Sequence, residues 1–437
     1  MILVPLIPVA VTRPFAGALV FAFLALNNPH RMVYGPAEDV PWSMIFGIAT
    51  LVGMMFHKQR RVGAALVGYA PVLVYLAWAC ISTAYALNPL EAQERLVNVL
   101  KVHVACLVTL MLLTTIQRAR MLLIVLIVAI GYYGIKGGAF TIVTGGTERV
   151  WGPPSSAIYD NNHLATGLVV TLPLLFWLLG ETTRRWQRWA IMGTIGLSVV
   201  SVLGAHSRGS FMALCAAALF VGLRSSRKFA TVLAFGALLA AAGIFMPDKF
   251  WDRIETIGTY SEDMSAQQRM NSWRGAINVA NDRVTGGGYE YYGPEASARY
   301  TDRPDWVVAS HSVYFQAIGE QGWIGLALYI LIWVTVVWRL WRITRSPDDD
   351  PEAASAKRFA RLMQASLVGF FVGGALYNIG NWDMMFYLLA VTVALDRSLR
   401  ERRSRAPETP RRQVPGGRSP SQRSPTPQAA SGLRSAR

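Results

Sequence analysis

Residues Arg188–Leu223 read RWAIMGTIGLSVVSVLGAHSRGSFMALCAAALFVGL. Two apolar runs, 188–204 and 209–223, flank a short polar turn around His206-Ser207-Arg208. Basic clusters close the outer ends, Arg184 to Arg188 before and Arg224 to Lys228 after. Neither run alternates with the period of two that a membrane β-strand shows over about ten residues. In lipid every backbone N–H and C=O needs an internal partner, and a helix supplies one residue by residue. The stretch therefore predicts two membrane helices joined by a tight turn.

Working outward, similar apolar runs, about 17–25 residues long and so enough to cross about 30 Å of hydrocarbon, recur along the whole chain. Length alone, 437 residues, would suggest two or three soluble domains, but hydrophobic residues make up 53% and charged ones only 16%. The mean hydropathy is +0.32. An all-α polytopic membrane protein of about twelve spans is expected, at 4–27, 42–56, 63–87, 95–116, 121–143, 162–180, 188–204, 209–223, 228–246, 312–338, 361–380 and 382–397. The apolar N-terminus lacks the charged start and small-residue cleavage site of a secretory signal, so it reads as the first span. Arg13-Pro14 interrupts that span and predicts a bend or a re-entrant hairpin.

The net charge of +16 would point to nucleic acid in a soluble protein. Here it follows topology, and no nucleic-acid partner is expected. The segments around His57–Arg61, Arg118–Arg120, Arg184–Arg188, Arg224–Lys228, Arg339–Arg361 and the tail from Arg397 hold 28 Lys and Arg. The alternate segments, 28–41, 88–95, 144–161, 205–208 and 247–311, hold 11, seven of them in the one long loop. Basic residues on short loops stay in the cytoplasm, which predicts a multi-pass inner-membrane protein with both termini inside. Four regions result: helices 1–9 over 1–246, a periplasmic cap over 247–311, helices 10–12 over 312–397, and a basic tail over 398–437. The cap is rich in Trp and Tyr and reads as a small helical unit. The tail is rich in Arg, Pro and Ser and reads as disordered. Cys80, Cys106 and Cys215 all fall in spans and read as small packing groups.

Four external stretches are unusual for membrane loops: Gly145 to Gly152 with Arg149, continuing to Asp160-Asn161-Asn162-His163; Gly204 to Gly209 with His206 and Arg208; Gln268-Arg269 to Trp273-Arg274, followed by Gly286-Gly287-Gly288; and Ser310-His311-Ser312-Val313-Tyr314. An arginine offers a fixed fork of donors that fits phosphate oxygens and keeps its charge. Arg208 opens a helix, where free N–H groups also favour an anion. Its plainer reading is a loop cap or a contact to lipid head groups. Arg269 is less distinctive, since Arg274 and Arg283 compete with it. An imidazole can take a proton from an attacking hydroxyl, and His311 lies about one helical turn from Tyr314. The plainer reading is an interfacial histidine satisfied by water, and His163 and His206 carry the same two readings. His30, His57 and His103 read as structural.

Metal chemistry finds little support. The densest acidic run, Asp348-Asp349-Asp350, falls on a cytoplasmic segment and reads as a solvated turn. Glu38-Asp39 and Glu262-Asp263 are external, but no Asp-x-Asp or His-x-x-x-His spacing accompanies them. No Walker or Rossmann glycine pattern occurs. No cofactor is expected.

Taken together these motifs resemble the bacterial O-antigen ligase and O-antigen polymerase superfamily. The likeness rests on Ser207-Arg208-Gly209 opening a span and on Arg269 with Trp273 and the glycines after it. It rests too on His311-Ser312-x-Tyr314 followed by Gly319-Glu320-x-Gly322-x-x-Gly325, with Arg149, Gly152 and Asn162-His163-Leu164-Ala165 as an upstream motif. It covers roughly 145–330. Arg13-Pro14-Phe15, Asn28-Pro29-His30-Arg31 and Tyr34-Gly35 look like a subgroup described as O-glycosylation ligases. The resemblance implies a GT-C-type membrane glycosyltransferase with its working groups at the periplasmic face. The implied donor is a glycan on undecaprenyl pyrophosphate, and the implied acceptor is lipid A–core, protein or another glycan. Arg208 and Arg269 would hold the pyrophosphate in place of a metal, and His311 would orient or deprotonate the acceptor. Arg149, Asn162, His163, Trp273, Arg274 and Tyr314 are substrate-binding candidates. Inversion at the anomeric carbon is implied as well. A polymerase, with the same donor and another acceptor, is the first rival. A transporter of lipid-linked sugars is the second, but of the Lys and Arg only Arg13, Lys101 and Lys136 fall to the spans rather than the loops.

Overall fold

The computed structural model describes residues 3–32, 35, 38–58, 60–154, 156–224 and 264–405, with 236, 237, 240 and 243. The expected span 228–246 apart from those four residues, the opening of the expected cap and the tail beyond 405 lie outside the described residues. Among those described, the regular elements are helices and no strand occurs. In chain order they are α1 (Leu6–Thr12), α2 (Pro14–Asn27), α3 (Trp42–Phe56), α4 (Val62–Ala84), α5 (Pro89–Leu112), α6 (Ile116–Val143), α7 (Asn161–Glu181), α8 (Arg185–Gly204), α9 (Arg208–Leu223), α10 (Met264–Asp282), α11 (Pro294–Tyr300), α12 (Val313–Thr344), α13 (Pro351–Gly374) and α14 (Asp383–Arg405).

Five of these, α4, α5, α6, α7 and α12, are long and apolar enough to cross a membrane. The chain is thus an all-helical, polytopic membrane protein. Helices α2, α3 and α9 are apolar but only 14, 15 and 16 residues long. At 1.5 Å per residue they reach about 21–24 Å, short of the ~30 Å hydrocarbon layer. The break expected at Arg13-Pro14 is present. Arg13 has φ −132° and ψ 77° between α1 and α2, because a proline bars its predecessor from the helical region.

Helix α14 runs through the middle. Every residue from Met384 to Leu389 is buried, and it packs against α5, α6 and α12. The first half of the helix, Met384 to Leu395, carries no charge, and such a segment is stable only when enclosed. Small residues let α6 and α8 approach closely. A Cβ on Gly138 would lie 2.1 Å from the Leu197 carbonyl oxygen, so only glycine fits this seam.

Several helices outrun their expected spans. Helix α13 begins ten residues early and α14 continues to Arg405, because paired charges carry both on past the apolar section: Arg402 reaches Glu352 and Arg403 reaches Asp348. The aspartates read as a solvated turn are engaged. Asp350 caps α13, accepting from the N–H groups of Glu352 and Ala353, while Asp349 meets Lys357 at 2.7 Å.

Helix α12 is broken at Gly322, where φ is 68° and ψ −174°. The glycine run 286–288 lies against the break. The Gly287 N–H donates to the Gly319 carbonyl at 2.8 Å and the Gly288 N–H to Glu320 at 2.9 Å. Carbonyls freed by the break thus gain new donors. The same seam docks α10 onto α12, and Trp323 Nε1 donates to Asn281 at 2.9 Å across it. The two glycine motifs of the sequence are one structural joint.

Candidate active site

The site forms where α7, α9, α10 and α12 begin or end. Asp160 caps α7, accepting from the N–H of Asn162 at 2.9 Å and of His163 at 3.3 Å, and so fixes the turn that carries both side chains. Ser207 caps α9 in the same way through Ser210. This places Arg208, half-buried, at the first position of that helix. The two caps are tied together. Ser210 Oγ donates to the Asn162 carbonyl at 3.1 Å and lies 3.1 Å from Thr166 Oγ1. Asn161 Nδ2 donates to the Ala205 carbonyl at 2.7 Å.

His311 sits one residue before the cap of α12 with φ 45°, and His206 has φ 51° in the α8–α9 turn. Non-glycine residues are uncommon in this left-handed region, and strain of this kind collects at functional sites. His311 is held from both sides. The Ser312 N–H donates to Asn378 Oδ1 at 2.9 Å, and Trp273 Nε1 donates to the Ser310 carbonyl at 2.7 Å. Trp273 also stacks on Phe315, with ring centroids 4.5 Å apart and planes 8° from parallel.

His311 is exposed to solvent. Desolvation by the protein packed around it lowers its pKa first, then the positive charge of Arg269, then His163, with Asp160 pulling the other way. A base that is neutral near pH 7 results. Tyr377 completes the cluster. Its hydroxyl lies 2.8 Å from Ser207 Oγ and its ring 6.3 Å from that of His163. Burial raises its pKa, opposed by the Ser207 bond and the charge of Arg269. The field of Arg269 thus reaches both His311 and the residue bonded to the Arg208 turn.

The competing arginines of the cap are engaged elsewhere. Arg274 pairs with Asp302 at 2.6 Å on an exposed surface. Arg283 donates to the carbonyls of Gly286 and Tyr85. Arg299 meets Asp282 at 2.9 Å, and Arg303 lies over Trp306. Arg269 makes no ion pair among the described residues. Arg149 is exposed on the loop after α6, and its charge acts on His206, whose Nε2 lies 2.8 Å from the Gly146 carbonyl. Burial is the leading cause that lowers the His206 pKa. Tyr314 donates to the Phe371 carbonyl at 3.2 Å. It also opens an apolar groove of about 620 Å³ that runs down α12 past Trp333, Val337 and Trp341. Among the described residues no three His, Cys, Asp or Glu side chains gather as a metal site would need.

Tyr377 and Asn378 were not among the sequence candidates, since the expected spans 361–380 and 382–397 left one residue between them. The signal lay in Tyr377-Asn378 and Asn381-Trp382-Asp383, a polar run that ends α13 at Gly374 and starts α14 at Asp383.

The fold and site together describe a polytopic helical membrane protein with a cationic, imidazole-bearing cluster where α7, α9 and α12 begin. Residues 193–330 match the family described as O-Antigen ligase, and this segment holds Arg208, Arg269, Trp273 and His311. The likeness to the O-antigen ligase superfamily is thereby shown over that segment. Residues 1–183, with Asp160, Asn162 and His163, match a family described as of unknown function. The site draws on both segments. No curated protein matches the chain.

Proposed function

We propose that this chain is a metal-independent, GT-C-type O-antigen ligase of the bacterial inner membrane. It moves a glycan from undecaprenyl pyrophosphate to the lipid A–core oligosaccharide at the periplasmic face. The observation that carries the reading is the convergence on His311 of Arg269, which like His311 belongs to the O-antigen ligase segment, and of His163 and Asp160 from the preceding segment. The acceptor hydroxyl attacks the anomeric carbon while the bond from that carbon to the pyrophosphate oxygen breaks. The hydroxyl proton passes to His311, and the configuration inverts. Negative charge grows on the departing pyrophosphate, where Arg269 and Arg208 offset it, fixed donors being most effective where charge develops. Asp160 orients the His163 side of the site, and Trp273 and Asn378 hold the His311 backbone. The groove that begins at Tyr314 suits the polyprenyl chain of the donor, since its walls are apolar and it opens toward lipid.

The test is reconstitution of the purified chain with lipid-linked glycan and lipid A–core in excess EDTA. Lipid A–core shifted to high mass is the expected result. Loss of product on chelation, restored by manganese, overturns the metal-free scheme, and long chains still on the carrier point instead to the polymerase reaction. Transfer to protein in place of lipid A–core would assign the chain to the O-glycosylation branch.

A further inference from the structure

At the end of the bundle away from His311, a pocket of about 550 Å³ opens between α4, α12 and α14. One wall is apolar, with Gly63, Val67 and Val393; the other carries Arg339, Arg342, Arg397 and Arg400. Val67 is 75% exposed and Trp338, on the rim, 51% exposed, so the pocket faces outward, where acyl chains would lie. The Arg342 guanidinium rests over the Trp338 ring at 4.1 Å, an arrangement suited to the boundary between apolar and polar layers.

The charge in this pocket is not balanced. Buried Asp396 takes three partners: Arg339 at 3.2 Å, Arg342 through Nε at 2.8 Å, and Arg400 at 3.4 Å. Glu401 pairs with Arg61. Five guanidiniums against two carboxylates leave an excess of three positive charges among the described residues. Arg397 is the least compensated. It is only 5% exposed, one nitrogen donates to the Leu113 carbonyl, and Nε and Nη1 have no hydrogen-bond partner among the described residues. An uncompensated cation withdrawn from water is costly, and a basic pocket between spans at a bilayer surface suits a lipid phosphate.

We infer that this pocket binds one anionic phospholipid, its phosphodiester among Arg342, Arg397 and Arg400 and an acyl chain along Gly63, Val67 and Val393. The site is distinct from the one at His311 and does not depend on the reaction assigned there. The apolar wall separates a lipid from inorganic phosphate, which has the same charge chemistry but no use for that wall.

The experiment is native mass spectrometry of the full chain in non-ionic detergent with added phosphatidylglycerol or phosphatidylcholine. One phosphatidylglycerol per chain, retained well above phosphatidylcholine, is expected. Arg397→Gln should cut retention about five-fold, the loss expected for one cation near a lipid surface. Because that arginine is buried and its variant risks misfolding, Gly63→Trp gives a second arm. A Cβ on Gly63 meets nothing within 4 Å, so the indole fills the pocket, leaves the arginines in place and should block the lipid. Equal retention of the two lipids overturns the proposal, as does retention unchanged in Gly63→Trp. Displacement of phosphatidylglycerol by excess inorganic phosphate, with stabilisation of lipid-free protein by phosphate alone, would assign the site to the free anion and overturn it as well.

Discussion

Replacing Gly322 by alanine should damage both stability and transfer, although residue 322 touches none of the proposed reacting groups. The backbone there, φ 68° and ψ −174°, belongs to a region open essentially to glycine alone, at about 1–3 kcal/mol for other residues. The added Cβ would also lie 2.4 Å from the Val284 carbonyl oxygen and 3.0 Å from the Gly286 nitrogen. Overpacking of that kind costs about 1–3 kcal/mol more, giving a total of about 2–6 kcal/mol. The strain falls on the joint where the Gly287 and Gly288 N–H groups meet the carbonyls of Gly319 and Glu320. That joint seats α10, which carries Arg269 and Trp273, on α12, which follows His311. Thermal unfolding of the purified variant should show a clearly lower Tm. Transfer from lipid-linked glycan should fall further than the folded fraction does, because the guanidinium and imidazole shift relative to each other. Gly286→Ala should behave alike, since its Cβ would lie 2.4 Å from the Gly322 nitrogen. Wild-type Tm and wild-type transfer in Gly322→Ala would refute the reasoning that the joint sets the site.

Arg269→Gln should move the acid limb of the pH profile of kcat/KM. The positive charge of Arg269 is one cause that lowers the His311 pKa, so removing it lets that pKa rise. The neutral base then requires a higher pH, and the limb shifts upward; an unmoved or downward-shifted limb counts against His311 as the base. Trp273→Phe keeps the stack on Phe315 but loses the bond to the Ser310 carbonyl, a net change of about 0.5–1.5 kcal/mol. The expected outcome is a lower kcat with donor binding unchanged, measured by turnover and by titration of undecaprenyl pyrophosphate. Tyr377→Phe removes the hydroxyl beside Ser207 and should loosen the Arg208 turn at a similar cost of about 1 kcal/mol. Weaker donor binding with little change in Tm is expected, and wild-type affinity would exclude Tyr377 from the site.

The five spans α4, α5, α6, α7 and α12 were legible because an apolar run long enough to cross lipid has few other uses. The ends of α13 and α14 were not, because the Arg402–Glu352 and Arg403–Asp348 pairs join residues about fifty positions apart. His311 and Arg269 were readable as candidates, but sequence could not separate Arg269 from Arg274 and Arg283. Only the fold shows that the latter two are spent on Asp302 and on the carbonyls of Gly286 and Tyr85. The glycine motifs were visible as motifs, while their pairing across the broken α12 required the two segments to be seen side by side. Tyr377 escaped notice because an aromatic residue at the end of an apolar run reads as span until the chain is seen to turn at Ala375.

Donor binding and turnover measured side by side on Arg269→Ala and His311→Ala test the central claim most directly. Undecaprenyl pyrophosphate binding to the purified, folded variants would be compared with single-turnover transfer to lipid A–core. Weakened donor binding and lost transfer are expected for Arg269→Ala, and for His311→Ala near-normal donor binding with transfer abolished. Full transfer by folded His311→Ala, or unchanged donor affinity in Arg269→Ala, would contradict that claim.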